Sequence, residues 1–584
     1  KVREPLVASP SLEGRRGGGP LVDRLRALAQ RLPDRPKFEH GVRLLAVASP
    51  ISIALANTAL VVAAVLFARD WVAGRRRPER TPLDGAILAW VAADALSAIT
   101  SIDPLRSVFV ARNSALWGMY YLIAWGAKPE RQLGSLVDLW LASGLVGALQ
   151  AIVQATIGFD VRGRQISHPK GFFSGHLPFA HVTAVLAAVA VARFWDARGG
   201  RRLAWIAALA LFGAALAVST ARGPWLAFLA AVLVLAALRR SRGVLIAAMV
   251  VAVAHGGVTA IGPEGFRAHY ASYLTLDPDT VGSVSEQKVY SNLWRLAMWR
   301  ESLARFAARP ISGTGVETTG ELSQDFTTPF ESFAVAHLHS NYFEVLMTRG
   351  FLGLAALFYL LVGGLRVFVA ALTGANPSPG ALPHPAQSRT RRLHATLSQD
   401  GRGESEAVIE PPGRERGIGM GHQGVAIFAG IAALVAHAVH GFTHFTLGSA
   451  PMQIVSYVAL GFAAAAMPPG SLSLPLPSAR GLAWGAATVA IAFALSPLAR
   501  VFPAWAIAAG CVAFAHALVT LVRRRLGFAR GALVLAFAFV ALASLLAPSA
   551  ALTVDVIAAA ALPFAILYAA VGAYGVVAAR EGRW

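Results

Sequence analysis

Residues 334–354 read AVAHLHSNYFEVLMTRGFLGL. Two histidines, His337 and His339, stand at the mouth of an apolar run with helical character, and a long polar stretch, 263–338, precedes it. An ionisable group at a membrane boundary costs free energy and persists where it does something. Working outward, apolar runs of roughly 18 residues or more recur along the chain, each long enough to cross a bilayer as a helix. Of the 584 residues, 56% are hydrophobic and 14% charged, against about 25% charged in a soluble domain. The ten-residue alternating segments of a membrane barrel are absent. The expected fold is an all-α polytopic membrane protein with roughly 14–16 transmembrane helices and one large external loop.

The expected order is a basic cytoplasmic tail over 1–42, N-terminal membrane helices over 43–262, the large loop over 263–338, membrane helices over 339–467 interrupted by a disordered cytoplasmic loop over 372–421, and additional C-terminal helices over 468–584. The individual spans fall near 84–99, 107–126, 133–157, 177–194, 203–220, 223–238 and 243–262, with further spans from 340 onward. The net charge is +21, from 52 Lys and Arg against 31 Asp and Glu. Much of it lies in short loops at 75–80, 193–202, 239–242, 389–416 and 523–530, which the positive-inside rule puts in the cytoplasm. Loops 158–176, 263–338 and 443–450 and the turn at 219–223 then face outward. For the basic tail and the basic 71–82 loop to share a side, residues 43–70, which contain Pro50, must form a hairpin. Scattered basic residues of this kind suit anionic lipid headgroups and an anionic substrate, and exclude a nucleic-acid partner. The single cysteine, Cys511, excludes an internal disulfide and a cysteine metal cage.

His339 is the leading catalytic candidate. It precedes a helix start at the outer boundary, and an imidazole accepts a hydroxyl proton near neutral pH. His337, two residues away, shares its face if the segment is extended. Arg222, in Ser-Thr-Ala-Arg-Gly at 219–223, sits between two apolar runs, where a guanidinium can hold a diphosphate through paired hydrogen bonds. Lys170, Arg162 and Arg164 in loop 158–176, with Arg106 and Arg112 at the outer end of the 107–126 run, add positive charge for the same anion. The helical spacing of His437, His440 and His444 puts them on one face, which suits a polar helix contact better than a metal. The Gly-rich segment Pro310–Gly315 lacks the Lys-Ser/Thr of a phosphate-binding loop, so no nucleotide is expected.

Four stretches carry a family resemblance: LSAITSIDPLRSVFVAR at 96–112, KGFFSGHLPFA at 170–180, STARGPWLAF at 219–228, and the segment 295–354 containing RLAMW, RPISGTG and HLHSNYFEVLMTRGFLGL. In order and spacing the chain resembles the O-antigen ligase and O-antigen polymerase superfamily over roughly 43–467. The resemblance implies a multi-pass protein of the bacterial inner membrane with its active site facing the periplasm. It implies transfer of a glycan from an undecaprenyl-diphosphate carrier to an acceptor hydroxyl, on lipid A core for a ligase or on a second lipid-linked glycan for a polymerase. His339 matches the family's essential histidine and Arg222 its diphosphate-binding arginine. Lys170 falls where relatives often carry arginine, and Ser340 where they often carry asparagine. The implied reaction inverts the anomeric centre, uses a histidine base and requires neither metal nor cofactor; ligase is the leading expectation. A transporter or flippase for an anionic lipid is the competing class, and it would put charged groups at the bilayer midplane and broken helices in matching halves.

Overall fold

A computed structural model describes residues 37–127, 130–239, 283–326, 335–373, 421–467 and 473–474. The expectations for most of the 1–42 tail, the 243–262 span, residues 374–420 and the helices beyond 474 lie outside the described residues. Within them the chain is all helical, and the only β pairing is an isolated bridge between Phe159 and Gln165. Six helices are long and apolar enough to cross a membrane: Ile53–Val72, Gln132–Ile157, His176–Asp196, Gly200–Ser219, Asn341–Leu372 and Gly421–His440. Gly223–Leu238 and Ala450–Ala466 are shorter and equally apolar in character.

The chain enters through α1 (Phe38–Ala48), reverses around Pro50, and continues as α2 (Ile53–Val72). Ser52 caps α2, and the two helices approach closely enough that a Cβ on Gly41 would sit 2.8 Å from Ala63 Cα. The hairpin required by the charge pattern is therefore present. Helix α3 (Asp84–Ile99) follows. The apolar run expected as one span over 107–126 is divided: α4 (Pro104–Ala111) begins at Pro104 behind the Asp103 cap, a 3-10 turn runs from Arg112 to Leu116, and α5 is Trp117–Gly126. The turn carries the polar residues Arg112, Asn113 and Ser114, which interrupt the apolar run where the helix divides. Three helices then cross in succession, α6 (Glu130–Ile157), α7 (His176–Asp196) and α8 (Gly200–Ser219), followed by α9 (Arg222–Leu238).

Helix α10 (Ser283–Ala308) precedes α11 (Asn341–Phe358), which runs through a π turn at Tyr359–Gly363 into α12 (Gly364–Leu372). The bundle closes with α13 (Gly421–His440) and α14 (Ala450–Ala466). Helices α7 and α13 form the centre, 78% buried over their apolar windows, whereas α2 and α8 are 33% and 28% buried and form the periphery. On α2, Leu55, Val61 and Val65 are more than half exposed. An apolar outer surface of that kind fits hydrocarbon rather than water. Helix α13 packs against α7, α9, α12 and α14.

Contacts between loops sort the bundle into two ends. At one, Arg76 pairs with Glu39, the Trp125 indole donates to Glu79 O (2.9 Å), Arg193 binds Asp138 and Gly134 O (2.8 Å each), and Arg239 binds Asp196 (2.5 Å). These are the loops expected in the cytoplasm. At the other, the Thr220 hydroxyl meets His168 Nδ1 (3.2 Å), Ile102 N–H donates to Thr314 O (2.9 Å), and Asn341 N–H donates to Gly441 O (2.7 Å). These are the segments expected outside.

The root of the large outer segment is built into α11. That helix breaks at Gly350, whose φ is 64°. Into the break run Thr314 N–H to Met347 O (2.9 Å), Gly315 N–H to Thr348 O (3.0 Å) and Phe351 N–H to Pro310 O (2.8 Å). The Gly-rich segment noted in the sequence thus serves close backbone approach: a Cβ on Gly313 would lie 2.3 Å from Thr348 C, and one on Gly350 would lie 2.5 Å from Ile311 C.

Candidate active site

The site grows from the six residues between Val335 and Ser340. Leu338 is fully buried and acts as their anchor. Its N–H donates to Glu344 Oε2 (2.7 Å), and its carbonyl accepts the Trp299 indole N–H (2.8 Å). Thr319 donates to the other oxygen of Glu344 (2.5 Å). A carboxylate inside an apolar helix would be expensive by itself; here it fastens the loop. Ser340 then begins α11 in extended conformation.

His337 and His339, on either side of Leu338, face each other with ring centres 4.4 Å apart. The segment is not extended at His339, which has φ 52°, in the left-handed region, so the pair meets across a tight bend. A non-glycine residue held there stores strain, as residues at functional sites often do. Trp294 packs against His339, with ring centres 5.9 Å apart, and His444 stands 5.2 Å from His337 and 5.9 Å from His339.

His444 arrives from 105 positions further along the chain, in the turn that follows α13. Asn341 fixes that turn: its amide donates to Thr446 Oγ1 (2.7 Å), its side-chain oxygen accepts Leu447 N–H (3.1 Å), and its backbone binds Gly441. The expected face of His437, His440 and His444 holds in part, with the His440 and His444 rings stacked 5.4 Å apart, and the three take different partners. The helix ends at His440; His440 Nδ1 meets His181 Nδ1 (2.9 Å), His437 Nδ1 meets Thr446 (2.7 Å), and His444 joins the outer pair. Among the described residues, one group could hold a metal ion: His337, His339 and His444, whose ligand atoms lie within 4.8 Å of one another.

Electrostatics favour neutral imidazoles. Burial, then the charges of His337, Arg295 and His444, push His339 down to about 3. Burial foremost, with His337, Arg295 and His176, pushes His444 down to about 3. Burial lowers His337 as well. Arg295 itself is lowered by desolvation, and its Nε is buried without a hydrogen-bond partner among the described residues. Beside the histidines opens a cavity of about 320 Å³, lined by His176, Pro178, His337, His444, Phe445 and Ser449 among others.

The remaining sequence candidates differ in placement. Arg222 is the first residue of α9, and a Cβ on the next residue, Gly223, would lie 2.4 Å from the His440 ring, so the helix start abuts the histidine end. Lys170 pairs with Asp160 (3.2 Å), and its backbone N–H donates to Gln154 (2.9 Å). Asp160 also gathers the N–H groups of Arg162 and Arg164 (2.9 Å each), whose side chains are exposed. Arg112 is exposed and lies 3.5 Å over the Phe109 ring, and Arg106 is exposed. Arg295, Glu344, Asn341 and His444 belong to the site without having been singled out as candidates for it. The signal for Arg295 was its place in RLAMW, one turn before a tryptophan that holds the histidine loop.

An all-helical, multi-pass membrane protein with a cluster of neutral imidazoles and a half-buried cation at one end of its bundle is the class these features define. A family model described as O-antigen ligase matches residues 178–358, from α7 through α11 and including Arg222, Arg295, His337 and His339. The match supports the O-antigen ligase superfamily for this chain, a family consistent with a membrane glycosyltransferase type of enzyme acting on lipid-linked glycan. No curated protein matches the chain.

Proposed function

We propose that the protein transfers a glycan from an undecaprenyl-diphosphate carrier to an acceptor hydroxyl at the periplasmic face of the bacterial inner membrane, as an O-antigen ligase with lipid A core as acceptor. The observation that carries the reading is the juxtaposition at the outer end of His339 with Arg295, whose Nε is buried without a hydrogen-bond partner among the described residues, inside the segment matched by the family.

His339 is the general base. Its imidazole is neutral before substrate arrives, which is the form that accepts a proton. A diphosphate dianion bound alongside raises its basicity toward neutrality, because an opposite charge favours the imidazolium. Arg295 and Arg222 hold that diphosphate, with Lys170, Arg164 and Arg112 as outlying cations that draw the headgroup in. The acceptor hydroxyl gives its proton to His339 as its oxygen attacks the anomeric carbon. The bond from that carbon to the diphosphate breaks on the opposite face, inverting the centre. Arginine donors neutralise the departing charge, so the chemistry requires no metal. His337 packs against His339 and fixes its ring, and Trp294 covers it.

The test is transfer of labelled glycan from an undecaprenyl-diphosphate donor by purified protein, with and without lipid A core, in the presence of chelator, for wild type and His339→Ala. Core-dependent transfer that survives chelator and is lost in the variant supports the reading. Chain growth without core would reassign the protein as a polymerase. Absence of transfer together with movement of the lipid-linked substrate across vesicles would favour a flippase.

A further inference from the structure

The cluster has a property that proton transfer does not use. His337, His339 and His444 come from two segments far apart in sequence, yet their ligand atoms fall within 4.8 Å of one another. A tetrahedral Zn²⁺ with nitrogen ligands at about 2.0–2.1 Å needs its ligand atoms roughly 3.4 Å apart, a difference that side-chain rotation can close. The segments carrying them are already locked together: Asn341 binds Gly441, Thr446 and Leu447, and Glu344 with Trp299 clamps Leu338 between the two outer histidines. Rigid support behind the ligands is what a metal site requires.

Two further observations point to a ligand. His444 is only 8% exposed, and its Nδ1 is buried with no hydrogen-bond partner. His337 and His444 also line the 320 Å³ cavity, which leaves room for a fourth ligand. Three imidazoles without a carboxylate or thiolate select borderline divalent metals such as Zn²⁺ over Mg²⁺ or Ca²⁺. The nearby positive charge of Arg295 favours an anion, such as hydroxide or phosphate, in the fourth position.

We propose that His337, His339 and His444 form a three-imidazole site for a borderline divalent transition metal, and that its occupation switches the enzyme off. The second half rests on the glycosyltransferase reading. A metal bound to His339 occupies the lone pair that would take the acceptor's proton, and its ligand shell fills the cavity mouth. The metal is thus an inhibitor of this site.

The experiment uses full-length protein in detergent, freed of any histidine tag. Zn²⁺ binding is measured by calorimetry, and Co²⁺ binding by its visible absorption. One equivalent per chain is expected, with a tetrahedral Co²⁺ spectrum. His444→Gln and His337→Gln should weaken binding by at least the ~10–100-fold that loss of even an outer-sphere partner costs. His40→Gln, an exposed histidine at the opposite end, should bind as wild type. Wild-type affinity in His444→Gln would overturn the site. A second reading needs no variant: with diethylpyrocarbonate, Zn²⁺ should protect His337, His339 and His444 while His40 stays reactive. Equal modification with and without Zn²⁺ would overturn the proposal. Saturating Zn²⁺ should also suppress glycan transfer by at least tenfold, reversibly by chelator; full transfer with one Zn²⁺ bound would overturn the switch. Binding and protection are read without transfer, so a protein that binds Zn²⁺ at these histidines but transfers no glycan would count against the enzymatic reading alone.

Discussion

The two ends of the bundle treat their charges in opposite ways. At the basic end, four arginines that sit at or near helix ends are matched: Arg69 with Asp70, Arg76 with Glu39, Arg193 with Asp138, Arg239 with Asp196. At the outer end, Arg295 has no carboxylate partner among the described residues, and the surrounding titratable groups are imidazoles held neutral by burial. Matched charges give orientation and stability. An unmatched, partly desolvated cation is costly until an anion arrives, so the difference separates positive charge already satisfied within the protein from positive charge open to an anion. Lys170 is instructive, because it lies at the outer end yet is matched by Asp160. By this criterion it ranks below Arg295.

The largest effect should come from His339→Ala, which removes the proposed general base, a role worth typically ~10²–10⁴-fold in rate. The loss should appear in kcat with the melting temperature unchanged; a parallel loss of stability would make His339 structural and break the comparison. Next comes a buried matched pair. Arg349 and Asp94 bond within the bundle, each side chain 8% exposed, with the guanidinium 5.1 Å from the Trp90 ring. Asp94→Ala leaves Arg349 without its carboxylate and should cost about 3–5 kcal/mol, read as a lowered melting temperature in detergent. Arg295→Ala should then reduce kcat/KM for the diphosphate donor by about 10–100-fold, corresponding to ~1.5–3 kcal/mol for a charged hydrogen bond, with little change in melting. Lys170→Ala should be smallest, a few-fold at most in kcat/KM, because Asp160 already holds its ammonium. If Lys170→Ala equalled Arg295→Ala, matching would not distinguish the two classes of charge.

Much of this was legible in the sequence for local reasons. The hairpin at Pro50 followed from charge on both flanks, the outer histidines from their place beside an apolar run, and the partition of loops from their arginines. What escaped was non-local. The short helix cut from the run at 107–126 is tied to the outer segment, with Ser107 donating to Val316 O (2.9 Å) across two hundred positions. His444 reads as sharing a helix face with His440, and the two rings do stack, but its meeting with His337 and His339 depends on a turn held by Asn341 from another helix. Glu344 gave no signal of its purpose, since its partners, Leu338 N–H and Thr319, become neighbours only in the folded protein.

The break at Gly350 bears on how such a protein can be re-engineered. The strip from Pro310 to Gly315 is stitched to α11 through main-chain groups, so its attachment is indifferent to most side-chain replacements on either partner. An outer segment transplanted from a related protein should therefore keep its seat on α11 so long as the two close-approach glycines are kept. Chimeras that exchange this segment should fold when Gly313 and Gly350 are retained and misfold when either position carries a side chain.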